Sequence, residues 1–479
     1  MLLFNVVVIF DISRCLECRF SNILHQGILI LQAKSKNFGK EEEKMSELYR
    51  FPLKQCIGKP SVAVVKCGDS VKRGELIAAQ PEDGLGANIF SSVSGKVESV
   101  NEEEIGILPD EKQSADFVKL KKRKPLELIK EAGLVGLGGA GFPTYAKFSK
   151  PFEKEGTVVI NAAECEPILS HNIERIEKHP EQLLRGLEIA MEVSGAKDGV
   201  IAIKEYHTEA INALKKILGN YKNMRIVPLM DMYPMGEERA IIREVFGEVL
   251  PVTALPLEAN AIVINAETAC RIQEAIDLKK PLIDKDMTVG GKIKGNLQDK
   301  LIQIFMDVPL GTPVETMFER AGGVNPDCGE LIMGGPFTGK RTTMQDVVVK
   351  TTGGLIAAEC FPKGPEKIGL LVCACGANKE RMQQLAESLG SKVVGVECCK
   401  QAKEVKGSLK CENPGRCPGQ VQKVMALKKA GAQAVLIGNC TDCSNTVMSC
   451  APKMGLPVYH CTDGALRAVN HKIVRAIKK

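Results

Sequence analysis

From Leu48 onward the apolar residues come in short alternating runs, Ser61–Lys66, Leu76–Ala79 and Gly95–Val100, with the turn-rich segment Lys66–Gly74 between the first two. Successive side chains on a strand point to opposite faces, so this period predicts a compact β sandwich. Beyond residue 120 the period lengthens. Pro125–Ala132 carries helical apolar spacing at Leu126, Ile129 and, just past it, Leu134. Strands are predicted at Thr157–Asn161, Gly199–Lys204 and Arg225–Leu229, with a helix over His207–Leu218, which together read as an α/β layer. Asp286–Gly295, Phe305–Pro313 and Val314–Ala321 read as strand, strand and helix. The last hundred or so residues alternate again. Strands are predicted from Lys367, at Lys392–Val396, Ala434–Gly438 and Pro457–His460, with a helix over Pro418–Ala430, so a small parallel-sheet domain closes the chain.

A chain of 479 residues has room for about three or four domains. Its formal charge of +6 is small, and with no Trp and 6 Tyr it lacks the aromatic-basic interleaving that stacks bases, so no nucleic-acid partner is expected. Leu2–Phe10 is apolar but too short to span a bilayer, and it has neither a basic flank nor a small-residue cleavage site. No membrane span and a cytoplasmic location are therefore expected. Gly39–Lys44, directly before Met45, is what a purine-rich ribosome-binding site encodes when translated in frame. Residues 1–44 are accordingly expected to be a non-native or disordered extension, which would empty the Cys15/Cys18 pair of meaning.

Two stretches carry candidate chemistry. The first is Gly133–Thr144, where Gly136, Gly138, Gly139 and Gly141 leave a backbone that can close on a flat or phosphorylated ligand. The spacing Gly136-x-Gly138-x-x-Gly141 matches a dinucleotide fingerprint, yet a helix precedes it and the strand follows, the reverse of a Rossmann turn. A tight turn would use the same glycines. The polar cluster Asn161–Pro167, at the end of the next predicted strand, turns the loop into a candidate ligand site.

The second stretch is the cysteine-rich C-terminus. Ten of the 18 cysteines fall from Cys373 onward, in a large chain without an export signal, which points to redox or metal chemistry rather than a disulfide scaffold. Cys373 and Cys375 follow the first predicted strand, Cys398 and Cys399 the second, and Cys440 and Cys443 the strand Ala434–Gly438, with Cys411 and Cys417 in a loop nearby. The carboxyl ends of parallel strands share one edge, so these thiols should converge. A CxxC at a strand-to-helix turn suits dithiol exchange, and four thiolates suit an iron–sulfur cluster or zinc. Both chemistries stay open at this point.

Gly136–Thr144 with Lys147, followed by Asn161–Pro167, resembles the flavin- and NADH-binding subunit of respiratory complex I, and more closely the C subunits of Rnf electron-transport complexes. Val71–Ile77 and Ser91–Val97 resemble the barrel-sandwich domain at the head of Rnf C subunits, without a lysine at the hairpin tip to carry a lipoyl group. Asp286–Ala321 resembles the β-grasp (soluble-ligand-binding) domain, and Leu331–Gly339 also looks like Rnf C subunits. The likeness covers most of residues 48–358. It implies FMN and NADH as cofactors. Gly136, Gly138, Gly139, Gly141 and Phe142 would face flavin and nicotinamide, Lys147 a phosphate, Asn161 and Glu164 the flavin, Glu166 the nicotinamide amide and Glu205 the adenosine ribose. Asn265 and Thr268 would form a second flavin contact, and Tyr233–Glu238 a further glycine-acid turn. Ala163 and Leu137 replace an acid and an arginine of complex I subunits, and both changes fit the Rnf branch. The ferredoxin-type CxxCxxCxxxCP run of Rnf C subunits is missing from the sequence.

The expected architecture is thus multidomain α/β: a barrel-sandwich hybrid over 45–120, an FMN/NADH-binding α/β domain of complex I flavoprotein type over 121–280, a β-grasp domain with a return segment over 281–358, a linker over 359–366, and a cysteine-rich α/β redox domain over 367–479. The combination resembles the electron-transfer proteins that accompany proline reductase in amino-acid-fermenting anaerobes. It implies an NADH-oxidising flavoprotein that hands electrons, through Cys440 and Cys443 or an iron–sulfur cluster, to a partner reductase. The candidate cluster ligands are Cys373, Cys375, Cys398, Cys399, Cys411, Cys417, Cys440 and Cys443. The other readings are a soluble Rnf-type C subunit feeding a membrane ion pump, and a non-catalytic metal-binding adaptor.

Overall fold

A computed structural model describes residues 48–153, 155–294 and 301–475. The expected extension over 1–44, with Cys15 and Cys18, lies outside the described residues.

Two small antiparallel sheets open the chain. One runs in the order Tyr49–Pro52, Glu104–Pro109, Gly95–Val100, Ser70–Val71, and the other Val62–Ala63, Leu76–Ala79, Ile89–Phe90. Phe51, Ile77, Val97, Ile105 and Ile107 fill the space between them and are fully buried. The predicted strand Ser61–Lys66 shrinks to Val62–Ala63, whose outward residues Val62 and Val64 stay exposed.

The next domain is a four-stranded parallel sheet in the order Met224–Leu229, Asp198–Lys204, Thr157–Ala162, Ala261–Asn265. Numbered along the chain that order is 3-2-1-4, so the winding reverses between Thr157–Ala162 and Ala261–Asn265. Helices leaving in opposite directions open a crevice at such a point, outside the carboxyl ends of the strands. Asn161 and Asn265 are register partners at that edge. The glycine run sits between the helix Pro125–Glu131 and the short helix Thr144–Lys147, ahead of the first strand, as its context in the sequence required.

A five-stranded mixed sheet follows, in the order Ile302–Pro309, Asp284–Gly291, Gly354–Glu359, Cys328–Met333, Lys340–Thr342, with the helix Val314–Arg320. All eight residues of Asp284–Gly291 are buried although three are charged. Arg175 and Arg271 reach Asp286 at 2.6 and 2.9 Å, and Lys285 pairs with Glu267. Burial opposes ionisation of Asp286, but the two guanidinium groups outweigh it and hold the carboxyl well below the usual range. Breaking one partner of such a network would leave an uncompensated buried charge, so it fixes the strand against the helices of the parallel-sheet domain.

The C-terminal sheet is parallel and four-stranded, ordered Lys392–Cys398, Lys367–Val372, Ala434–Ile437, Val458–His460. Along the chain this is 2-1-3-4, with its reversal between Lys367–Val372 and Ala434–Ile437. The hairpin Ala402–Val405 with Ser408–Cys411 has no counterpart in the sequence reading. This unit packs on the rest of the chain through the helix Asp463–Ala468, whose Ala465 and Leu466 share a buried core with Ile332, Ile356 and Ala358 of the mixed sheet, and through several polar and ring contacts. Tyr233 stacks on Phe337 with ring centroids 3.7 Å apart and donates its hydroxyl to the carbonyl of Cys375. Arg381 pairs with Glu330, both about nine-tenths buried, and Arg243 donates to Asn413 and to the Pro414 carbonyl. No helix among the described residues is long and apolar enough to cross a membrane.

Candidate functional site: a glycine loop and a thiol cluster on one cavity

A cavity of about 1370 Å³ opens at the crevice of the first parallel sheet. One wall is the loop Leu137–Ala140. Thr268 holds it from behind: its hydroxyl oxygen accepts from the Leu137 N–H at 3.1 Å and donates to the Val135 carbonyl. Thr268 is nearly fully buried in the first turn of Ala266–Gln273, a helix capped by the Asn265 side chain. A Cβ on Gly138 would stand 2.3 Å from the Asn265 amide nitrogen, whereas one on Gly139 would meet nothing within 4 Å and would project into open space. The first glycine lets the loop close on the strand end. The second leaves a bare backbone facing the cavity.

Asn161 also lines the cavity, donating to the Gly236 carbonyl at 2.9 Å. Glu164, at φ 38°, accepts from the Asn172 N–H in the first turn of His171–Lys178, where a carboxylate meets the positive helix end. His171 beside it is pushed down to about 4 by burial and is therefore neutral at pH 7. Glu166 is gripped by a turn of the mixed sheet: Phe337 N–H donates to one oxygen, and Thr338 N–H and hydroxyl donate to the other, at 2.6 to 2.9 Å. Burial still raises its carboxyl above the usual range, because those hydrogen bonds offset the lost solvation only in part. Arg239 lies in the same wall, and its Nη1, buried, has no protein partner.

Of the residues singled out from sequence, Gly138, Gly139, Asn161, Glu164, Glu166 and Asn265 line the cavity, with Thr268 directly behind. Gly136 and Gly141 shape the loop, the first donating to the Phe142 carbonyl and the second at φ 70°. Three expected contacts fall elsewhere. Phe142 stands outside the cavity wall. Lys147 donates to Glu238 and to the Val263 carbonyl. Glu205 is exposed just past the carboxyl end of Asp198–Lys204, at the same sheet edge as the cavity but outside its wall.

On the opposite wall are Cys375 and Cys411, the near edge of a packed set of thiols. Cys375 contacts Cys373, Cys411 and Cys440. Cys443 contacts Cys373, Cys399, Cys417 and Cys440, with the Cys399 and Cys443 sulfurs 3.9 Å apart. Convergence at the carboxyl edge thus holds for seven of the eight candidates. The exception is Cys398. The last residue of its strand, it points away from the sheet face that carries Cys399 and is exposed. The cysteines among the described residues are free.

Gln420, which the sequence reading passed over, is central to this set. Its Oε1 accepts from the Lys400 N–H, which aims Nε2 at the sulfurs of Cys399, Cys417 and Cys443 at 3.1, 3.4 and 3.6 Å. Contact with Cys443 lowers the Cys417 thiol to about 6, against the opposing effect of burial. Cys165, inside the Asn161–Pro167 cluster, also lines the cavity, and burial pushes its thiol up to about 12. Tyr233, Phe337 and Thr338 were missed as well, since nothing local in sequence shows that these segments meet.

Residues 129–274 match the Nuo51 FMN-binding domain, and residues 23–114 match the RnfC barrel sandwich hybrid domain. The C subunit of the Na(+)-translocating ferredoxin:NAD(+) oxidoreductase complex of Acetobacterium woodii is 31% identical over 350 residues, which is 69% of this chain and 76% of that protein. The C subunit of the proton-translocating complex of Clostridium ljungdahlii is 30% identical, over 64% of this chain and 69% of its own length. The cobalamin reductase PduS of Citrobacter freundii is 36% identical over 48% of this chain and 49% of its own length. The FMN-binding match encloses the loop, both asparagines and Arg239, and a bare-backbone wall beside a guanidinium that is paired with Glu237 but keeps Nη1 without a protein partner suits a flat, phosphorylated ring system. This chain belongs to the family of Rnf-complex C subunits, NADH-linked flavoprotein components of electron-transfer oxidoreductases.

Proposed function

We propose that this chain accepts an electron pair from NADH through FMN seated at the glycine-loop crevice and delivers it across the same cavity to the thiol set, entering at Cys375. The observation that carries this reading is that both sheets turn their winding reversals toward one cavity, so loop and thiols share a single wall-to-wall space. When bound, FMN supplies a two-electron centre that takes a hydride and gives electrons to sulfur. The chain's own groups do the holding. Backbone from Gly138 to Ala140 offers N–H groups and close approach, Asn161, Glu164 and Asn265 border the ring site, and Arg239 offers Nη1 to a phosphate. Glu166, fixed by Phe337 and Thr338, orients the nicotinamide.

Within the thiol set we adopt dithiol exchange as the working reading. The dithiol reading needs only thiols within reach of one another, such as Cys399 and Cys443 with sulfurs 3.9 Å apart, while four thiolates of the same set are also right in kind for a cluster, which is the alternative. The acceptor is a partner reductase, for which the resemblance of the C-terminal domain names proline reductase. The family match favours a second reading, a component of a membrane ion-translocating complex.

The test is an anaerobic titration of the FMN-reconstituted chain with NADH. The visible flavin bands should bleach, and free thiols should increase with NADH in a preparation first oxidised. Cys375→Ser, which removes the thiol at the cavity wall, should keep the bleaching and lose the thiol increase. A reconstituted protein whose flavin does not respond to NADH would refute the proposal.

A further inference from the structure

We infer that the thiol set ends in a dithiol, half-buried Cys417 with buried Cys443 behind it, that reduces the disulfide of an external acceptor, so that the chain is an NADH-dependent disulfide reductase whose exit thiol is Cys417. The inference rests on the flavin reading for its electron supply, but the exit itself is argued from the C-terminal domain alone. Cys375 and Cys411 face the cavity, whereas Cys417 is half-buried and belongs to the loop next to the helix Val421–Lys429. Between the two ends the contacts are continuous: Cys375 touches Cys440, Cys440 touches Cys443, and Cys443 touches Cys417. No other branch from Cys443 comes out as far, since Cys373 and Cys399 are both buried.

The surroundings of Cys417 are those of an attacking sulfur. Its Sγ accepts from the Gly419 N–H and from Gln420 Nε2, both at 3.4 Å, and lies 3.2 Å from the Thr446 hydroxyl. Hydrogen bonds to sulfur favour the thiolate, the form that attacks a disulfide. A cleft of about 180 Å³, bordered by Lys400, Gln420 and Lys423, opens directly beside it and gives an anionic or polar acceptor room to approach.

Each step exchanges one disulfide for another. The Cys417 thiolate attacks one sulfur of the acceptor, forming a mixed disulfide and expelling the first acceptor thiolate. Cys443 then attacks the Cys417 sulfur, releases the second acceptor thiol and leaves a Cys417–Cys443 disulfide. Attack by Cys440 on Cys443 frees Cys417, and attack by Cys375 on Cys440 frees Cys443. The resulting Cys375–Cys440 disulfide lies against the cavity, where two electrons originating in NADH and two protons return it to thiols. The sum is NADH, a proton and a disulfide giving NAD+ and two thiols.

The experiment uses the full chain with dithiobis(nitrobenzoate) as a small disulfide and insulin as a protein disulfide, under anaerobic conditions. With FMN and NADH the wild type should reduce the small disulfide continuously, and Cys417→Ser should abolish this while NADH-dependent ferricyanide reduction, drawn from the flavin, stays at the wild-type rate. Insulin reduction that also depends on Cys417 assigns the site to protein acceptors, and its absence restricts it to small ones. A second readout needs neither flavin nor NADH. In Cys443→Ser, mass spectrometry of the protein treated with the small disulfide should find a stable nitrothiobenzoate adduct on the Cys417 peptide. In the wild type that adduct should be discharged, while an adduct on the exposed Cys398 persists in both. Disulfide reduction that survives Cys417→Ser, no adduct on Cys417, or loss of bound iron on its replacement would each overturn the inference. Loss of ferricyanide reduction in the wild type would instead sink the flavin reading, and the adduct would still decide the exit.

Discussion

At the scale of single residues the glycine loop separates folding from binding. An added Cβ at Gly138 would collide with the Asn265 side chain at 2.3 Å, and one at Gly139 would meet nothing. Gly138→Ala should therefore lower thermal stability by displacing the helix cap, at a cost of about 1 to 3 kcal/mol typical of overpacking. Gly139→Ala should melt with the wild type yet bind FMN more weakly, as read by the flavin retained after gel filtration. Equal FMN retention in Gly139→Ala and the wild type would show that the open space is not the flavin site. Much of this was legible in sequence. A glycine run and a strand-end Asn-Ala-Ala-Glu cluster announce a loop and a crevice because both are local patterns. The fate of the glutamates was not legible, since the groups that grip Glu166 come from Phe337 and Thr338, about 170 positions away in the chain. Arg239, Tyr233 and Gln420 were hidden too, because their roles depend on which segment packs against them.

At the scale of elements, Lys350 ties three of them together. It is fully buried, donates its ammonium to the carbonyls of Asn88 in the barrel sandwich and Gly133 at the start of the glycine loop, and takes its own backbone partner from Gln55. The wall here has carbonyl oxygens, and burial lowers the lysine to about 8, with the nearby Cys56 opposing. In the unfolded chain the group titrates near 10.5. Its folded pKa is thus depressed, so the charged form costs stability in full below about pH 8, and the cost fades as pH rises toward 10.5. At the low-pH end the penalty is on the order of 3 kcal/mol. Urea unfolding of wild type and Lys350→Met, compared at pH 7 and pH 10, should show the wild type gaining on the variant as pH rises. A constant difference would mean that the amine keeps its ordinary pKa. Elements themselves were easier to read than their junctions. Leu76–Ala79 and Gly95–Val100 emerged with the limits that alternation predicted, and the C-terminal strands were recovered from apolar runs. The hairpin Ala402–Cys411 escaped because Ala402–Val405 is largely polar and pairs only with its neighbour, away from the sheet.

At the scale of the whole molecule, the proposed function depends on two separately wound sheets meeting at one cavity, across a join that carries an apolar core as well as polar pairs. Tyr233 is its pivot. The ring is stacked on Phe337, the hydroxyl donates to the Cys375 carbonyl, and the backbone exchanges hydrogen bonds with Thr441, next to Cys440. One residue of the flavin domain thus fixes both cysteines that begin the thiol path. Glu330 and Arg381 brace the same join. Burial works against ionisation of Glu330, but the hydrogen bond and charge of Arg381 prevail and keep its carboxyl below the usual value, so this brace holds above the ordinary carboxylate range and is lost in acid. Tyr233→Phe keeps the stack and removes one donor, leaving the Cys375 carbonyl unpaired at a cost of about 1 to 3 kcal/mol. If the carbonyl bond positions Cys375, NADH-dependent bleaching of the flavin and ferricyanide reduction should be unchanged in this variant. The subsequent rise in free thiols should slow by about tenfold or more, the kinetic equivalent of that energy if it is spent on misplacing Cys375. A merely structural tyrosine would lower the melting temperature without separating the two rates. Equal slowing of flavin reduction and thiol formation would show that the join supports the fold as a whole and does not set the path of electrons across it.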